Sequence, residues 1–131
     1  MLITREMDYA LRILRALHRE GLLSAAAVAR QEHMQKAITL KLLNRLLAAG
    51  LVESRRGVSG GYFLKRRCGE MTIYDVFQAI GDPPLINRCQ REGYRCENFP
   101  QGGCGICKEL CRIQGVLDQE LRRMPLSDIF Q

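Results

Sequence analysis

Apolar positions in the first part of the chain recur at helical spacing. Tyr9, Ala10, Ile13, Leu14 and Leu17 fall on one face, as in a helix that buries one side. Thr4 is placed to cap that helix and Gly21 to stop it. Ser24 begins a second, short helix from Ala25 to Gln31, and Glu32-His33-Met34 is a brief connector. A third helix is expected from Gln35 to Ala49, closed by Gly50, with Ile38, Leu42, Leu43, Leu46 and Leu47 as its apolar face. The period then changes. Leu51 to Arg55 reads as a strand, Gly57-Val58-Ser59-Gly60-Gly61 as a turn, and Tyr62-Phe63-Leu64 as the returning strand of a hairpin.

Thr72 opens a fourth helix, Ile73 to Ile80, which Gly81-Asp82-Pro83-Pro84 ends. Residues 85–103 carry no period and contain Gly93, Pro100, Gly102 and Gly103. So long an irregular stretch inside a small protein calls for a functional reason. From Gly105 to Met124 a long helix returns. Ile106, Leu110, Ile113, Leu117, Leu121 and Met124 form a near-heptad seam along it, suited to packing on a partner helix, most simply its own copy. Pro125 ends the helix, and Ser127 is expected to cap a terminal turn. The predicted fold is mainly α with a small β-hairpin wing: a winged helix-turn-helix over residues 1–81, a cysteine-bearing loop over 82–104, and a C-terminal dimerisation helix and tail over 105–131.

Charge sharpens this picture. The 131 residues carry a formal charge of +6. Residues 1–67 hold 13 Lys and Arg against 5 Asp and Glu, whereas residues 68–131 hold 7 against 9. A basic first half beside a mildly acidic second half points to a polyanion met by the first half alone. The third helix is about the right width for a DNA major groove. Gln35, Lys36 and Thr39 lie near its start, where base edges are reached; Lys41 and Arg45 are expected on phosphates. The wing offers Arg55, Arg56 and Ser59. No stretch approaches the ~20 apolar residues of a membrane span, and no signal-peptide core opens the chain, so a cytoplasmic location is expected. No nucleophile–base arrangement, P-loop or dinucleotide fingerprint is present, so an enzyme is not expected.

Cysteines supply the remaining chemistry. Five of the six, Cys89, Cys96, Cys104, Cys107 and Cys111, fall within 23 residues, and Cys68 stands apart as incidental. Thiolates select zinc, copper(I) or iron–sulfur clusters. Structural zinc sites favour paired C-x2-C knuckles, and Cys104 with Cys107 is the one such pair. The wide, uneven spacing therefore favours a cluster, with zinc or a redox thiol pair as alternatives. Cys111 lies beside the apolar seam and is read as core. His18 and His33 stand alone and are read as surface or packing residues.

The opening Ile3-Thr4-Arg5-Glu6-Met7-Asp8-Tyr9-Ala10-Leu11-Arg12, the wing Arg56-Gly57-Val58-Ser59-Gly60-Gly61-Tyr62 and the helix start Thr72-Ile73-Tyr74-Asp75-Val76 resemble the Rrf-two (Rrf2) family of winged-helix transcriptional regulators. That family includes iron–sulfur cluster regulators, nitric-oxide sensors and cysteine-metabolism repressors. The resemblance implies a homodimer on near-palindromic, double-stranded promoter DNA. It implies that Cys89, Cys96 and Cys104 ligate a [4Fe-4S] or [2Fe-2S] cluster whose redox, nitric-oxide or iron status controls DNA binding. Family members differ in the fourth ligand. Some use a histidine three residues after the third cysteine, where this chain has Cys107; others use an aspartate on the first helix of the other subunit, where it has Asp8. The spacing between cysteines here is slightly longer than is usual in the family. A zinc- or thiol-based regulator is the alternative. An iron–sulfur carrier would leave the basic half and the wing unexplained.

Overall fold

The structure, a computed structural model, describes residues 2–81 and 83–131. Asp82, expected in the run that ends the fourth helix and at the start of the cysteine-bearing loop, lies outside the described residues. Helix α1 spans Arg5–Glu20, and the Thr4 hydroxyl accepts from the Met7 amide at 3.2 Å. The Ser24 hydroxyl caps α2, Ala25–Gln31, in the same way. Each cap satisfies an amide the helix itself leaves unpaired, worth about 1 kcal/mol. Helix α3 spans Lys36–Ala48. The turn before it holds His33 at φ 53°, a left-handed conformation rare outside glycine. Helix α4, Ile73–Ile80, opens on a full capping box between Thr72 and Asp75. Helix α5 spans Gly105–Arg123 and α6 spans Leu126–Ile129.

The sheet has three strands rather than the expected two. β1 (Leu22–Leu23), β2 (Val52–Arg55) and β3 (Gly61–Leu64) lie antiparallel in the order β1-β3-β2. Leu22 pairs with Phe63 and Leu23 with Tyr62. Two residues between a helix stop and a helix cap carry no readable period, which is why β1 escapes sequence reasoning. It anchors the inner edge of the hairpin to the helical body. Gly60 and Gly61 of the wing are there for space. A Cβ on Gly60 would lie 2.1 Å from the Arg55 carbonyl oxygen, and one on Gly61 would lie 2.6 Å from that of Leu23. Gly60→Ala should therefore force the turn open and cost about 1–3 kcal/mol, read as a lower urea midpoint. An unchanged midpoint would mean that the turn is looser than drawn.

One core joins these elements. Met7, Ile13, Leu14 and Leu17 of α1 pack with Leu42, Leu43 and Leu46 of α3 and with Val76, Phe77 and Ile80 of α4. Leu126 and Phe130, at the C-terminal end, belong to the same core. The Leu126 amide donates to the Met71 carbonyl at 2.8 Å, and Phe130 packs near His18 at a ring distance of 6.1 Å. Ser127 lies inside α6 and does not cap it; Pro125 holds that position. Leu47, expected on the buried face of α3, is exposed, and Thr39 takes a buried place instead. Helix α5 buries only Gln114 fully, with Leu121 leaning on the core. Much of its expected seam is open: Ile106 is 73% exposed, Ile113 40% and Met124 41%. No helix of the described residues is long and apolar enough to cross a membrane.

Candidate nucleic-acid interface and cysteine cavity

Helix α3 lies between α2 and the wing in chain order, and its buried residues Thr39, Leu42, Leu43 and Leu46 fix which side faces out. Gln35, at the N-cap, and Lys36 are exposed at its start. Thr39 is a correction: it is fully buried, and its hydroxyl donates to the Gln35 carbonyl at 2.9 Å. A short side chain on the core face cannot reach a base edge. Lys41 is exposed, and its ammonium pairs with Glu6 of α1. Arg45 donates to the same carboxylate at 2.7 Å and to the Ile80 carbonyl at 3.1 Å, tying α1, α3 and α4 together. The hydrogen bond from Lys41, and then both cationic charges, hold the Glu6 carboxyl below its ordinary pKa. A phosphate held by Lys41 or Arg45 would use the N–H donors that Glu6 leaves free, or displace Glu6. Sequence reasoning missed Asn44, which is exposed directly opposite Leu42 and Leu46. The helical period of the core face was the signal that would have found it. On the wing, Arg55, Arg56 and Ser59 are all exposed, and Arg55 stacks 5.8 Å over the Phe63 ring, which restrains it.

The irregular stretch is not free of structure. A 3-10 turn spans Arg88–Gln90, and two glutamines fasten the segment to α5. Gln114 donates to the Pro84 carbonyl and to Asp118, and accepts from the Ile86 amide, each at 2.8 Å. Gln90 donates to the Leu110 carbonyl at 2.9 Å. Neither glutamine stood out in the sequence, because a buried amide on an otherwise polar helix side has no periodic signature.

Beside these tethers lies a half-open cavity of about 790 Å³, lined by Cys89, Cys96, Cys104, Cys107 and Cys111 together with Tyr94 and Phe99. Cys104 is the N-cap of α5. The Cys107 thiol is held above the ordinary thiol pKa, chiefly by the neighbouring Cys89 thiol. Its sulfur lies 4.0 Å from that of Cys111. Cys111 is exposed and lines this cavity; it is not core, because it lies open on the cavity wall. Cys68 is buried, which pushes its thiol up to about 11 and leaves it an inert packing residue. Asp8 lies elsewhere in the chain, paired with Arg12 at 3.0 Å, and lines a second cavity with Arg15, Ile73 and Phe130. His18 and His33 touch none of the cysteines' cavity.

Among the described residues no three His, Cys, Asp or Glu side chains converge on one point as a single metal ion needs. Tetrahedral zinc with Zn–S bonds near 2.3 Å would hold all its sulfurs ~3.8 Å apart. A polynuclear centre places its thiolates on different metal atoms and so fills the space between them. Five soft donors arranged around a cavity fit that second kind of group better.

Residues 3–131 match the Rrf2 family, described as an iron-dependent transcriptional regulator. The HTH-type transcriptional regulator IscR of Xenorhabdus nematophila is 35% identical over 80 residues, which are 60% of this chain and 49% of that protein. Among solved structures, CymR, the global cysteine regulator of B. subtilis, superimposes with a TM-score of 0.78 at 24% identity, covering 98% of this chain and 95% of that one. IscR of T. potens does so with 0.73 at 19% identity, covering 97% and 84%. At those identities the two structures speak for the winged-helix fold alone.

Proposed function

The chain belongs to the Rrf2 family of DNA-binding transcriptional regulators, and from that premise we propose that it is a homodimer whose operator binding is controlled by an iron–sulfur cluster held in the cysteine cavity. The observation that carries this is the gathering of five thiols, from an irregular segment and a helix start, around one cavity. Cys89, Cys96, Cys104 and Cys107 are the proposed ligands, and the cluster supplies a redox- and nitric-oxide-sensitive bond network when bound. Asp8, on a different side of the same chain, is the alternative fourth ligand from a second subunit. The role of this chain's own residues is mechanical. Gln90 and Gln114 join the cysteine segment to α5, and the Arg122 guanidinium lies 3.4 Å from the Tyr74 ring, joining α5 to α4. Arg45 joins α4 to α3. A change in the segment thus has a packed route to the groove-reading helix. In the dimer the two copies of α3 address half-sites about 34 Å apart, and a change in their relative tilt alters operator affinity.

Gln35, Lys36 and Asn44 are proposed to face bases, and Lys41, Arg45, Arg55, Arg56 and Ser59 the backbone. Residues 1–81, 82–104 and 105–131 are proposed as the reading, sensing and pairing parts. Anaerobic purification tests this reading: the protein should be brown, carry iron and acid-labile sulfide, and bind a duplex with strong salt dependence. Arg56→Ala should make the log–log salt slope shallower by about 1.8, or about 0.9 for the phosphate that each of the dimer's two wings would cease to neutralise. Colourless protein holding one zinc per chain would replace the cluster by a zinc site. Protein with no metal and reversible disulfides would make it a thiol sensor.

A further inference from the structure

Five thiols line the cavity, but a cluster takes four. The surplus has a location. Cys107 and Cys111 are four residues apart on α5 with sulfurs in contact at 4.0 Å. Residues at that spacing stand one above the other on a helix, so either sulfur is presented to the same region of the cavity. The turn carrying Cys89 is placed against both. Its neighbour Gln90 is bonded to the carbonyl of Leu110, which lies between the two cysteines in sequence, and Cys89 lines the same cavity as both. Cys111 is also an exposed thiol, unusual for a residue type that is normally buried.

Cys104, Cys107, Cys111, Gln114 and Asp118 share one side of α5, and Gln114 bonds the Pro84 carbonyl and the Ile86 amide on that side. The apolar seam adjoins this stripe, and its first residue, Ile106, lines the same cavity. The carboxylate alternative is less suited on two counts. Asp8 is already paired with Arg12 at 3.0 Å, and a thiolate is the softer donor for iron–sulfur chemistry.

We propose that Cys107 and Cys111 are interchangeable donors for one coordination position of the cluster, so that α5 completes ligation within a single chain. This rests on the cluster reading above. Loss of one donor leaves the other within one helical turn, and the centre is retained at the cost of faster release.

The test compares anaerobically loaded wild type, Cys107→Ala, Cys111→Ala, the double variant and Asp8→Ala. The readouts are iron and sulfide per chain, visible absorbance and the rate of iron loss to a chelator. Alanine suits a helix interior, and circular dichroism with salt-sensitive duplex binding checks that each variant is folded. Both single cysteine variants and Asp8→Ala should keep iron and sulfide close to wild type. Cys107→Ala should lose iron to chelator faster, and the folded double variant should hold at least about tenfold less. A loaded wild type with an empty Cys107→Ala would overturn the proposal and leave the cluster reading standing. So would a double variant that stays loaded. Wild type without iron or sulfide would overturn both.

Discussion

Cys96→Ala is expected to empty the cavity of iron and sulfide while the reading head stays folded. Cys96 is one of the five cavity thiols and sits in a stretch without helix or strand. Unlike Cys107, it has no neighbouring thiol on a shared helix to stand in for it. The core of α1, α3, α4 and α6 takes no residue from 85–104, so its unfolding midpoint should move little. What should change is the specific part of DNA binding. Coupling between a sensing and a binding site is typically 1–3 kcal/mol, about 5–150-fold in affinity. We expect the operator affinity of Cys96→Ala to equal that of cluster-stripped wild type and to differ from the loaded form by a factor in that range. The salt slope, set by phosphate contacts of α3 and the wing, should be unchanged. Titration of one operator duplex with all three preparations decides it. Equal affinity of loaded and stripped protein would remove the sensing role and leave a plain DNA binder. Full iron content in the variant would remove Cys96 from the ligand set.

The parts of this molecule legible in its sequence are those in which local signals and burial agree. Thr4, Ser24 and Thr72 each sit at the cap they advertise, and the apolar period of α1 and α4 is their buried face. The wing was readable because its glycines have no substitute. Failures occurred where tertiary structure decides. Leu47 and Thr39 exchange inside and outside because α3 is rotated by its packing on α1 and α4, which a hydrophobicity count over α3 alone cannot register. β1 exists only because β3 lies beside it. The cysteines were legible as a group. Their arrangement was not, since it depends on Gln90 and Gln114, whose amides bond backbone far away in sequence. The ion pairs of Glu6 with Lys41 and Arg45 span 35 and 39 residues and were equally invisible.

Ile113→Asp is expected to convert the proposed dimer to a monomer and weaken operator binding by about 10²–10⁴-fold, the loss that follows when two linked half-site readers become independent. Ile113 lies mid-seam on a helix that buries only Gln114 within its own chain, and Ile106 and Met124 on the same seam are also exposed. An apolar row of this length, left open along a helix, calls for a covering surface. In a two-fold dimer each substitution occurs twice, so two carboxylates would enter an apolar contact and be desolvated without partners. Because Ile113 contributes nothing to the core of its own chain, the monomer should keep its helical spectrum. It should also keep weak, salt-dependent binding to any duplex, since α3 and the wing are intact. Sedimentation measures the mass and a duplex titration the affinity. A variant that remains dimeric with full operator affinity would move the pairing surface off α5, and the two groove-reading helices would then have to be spaced by some other contact.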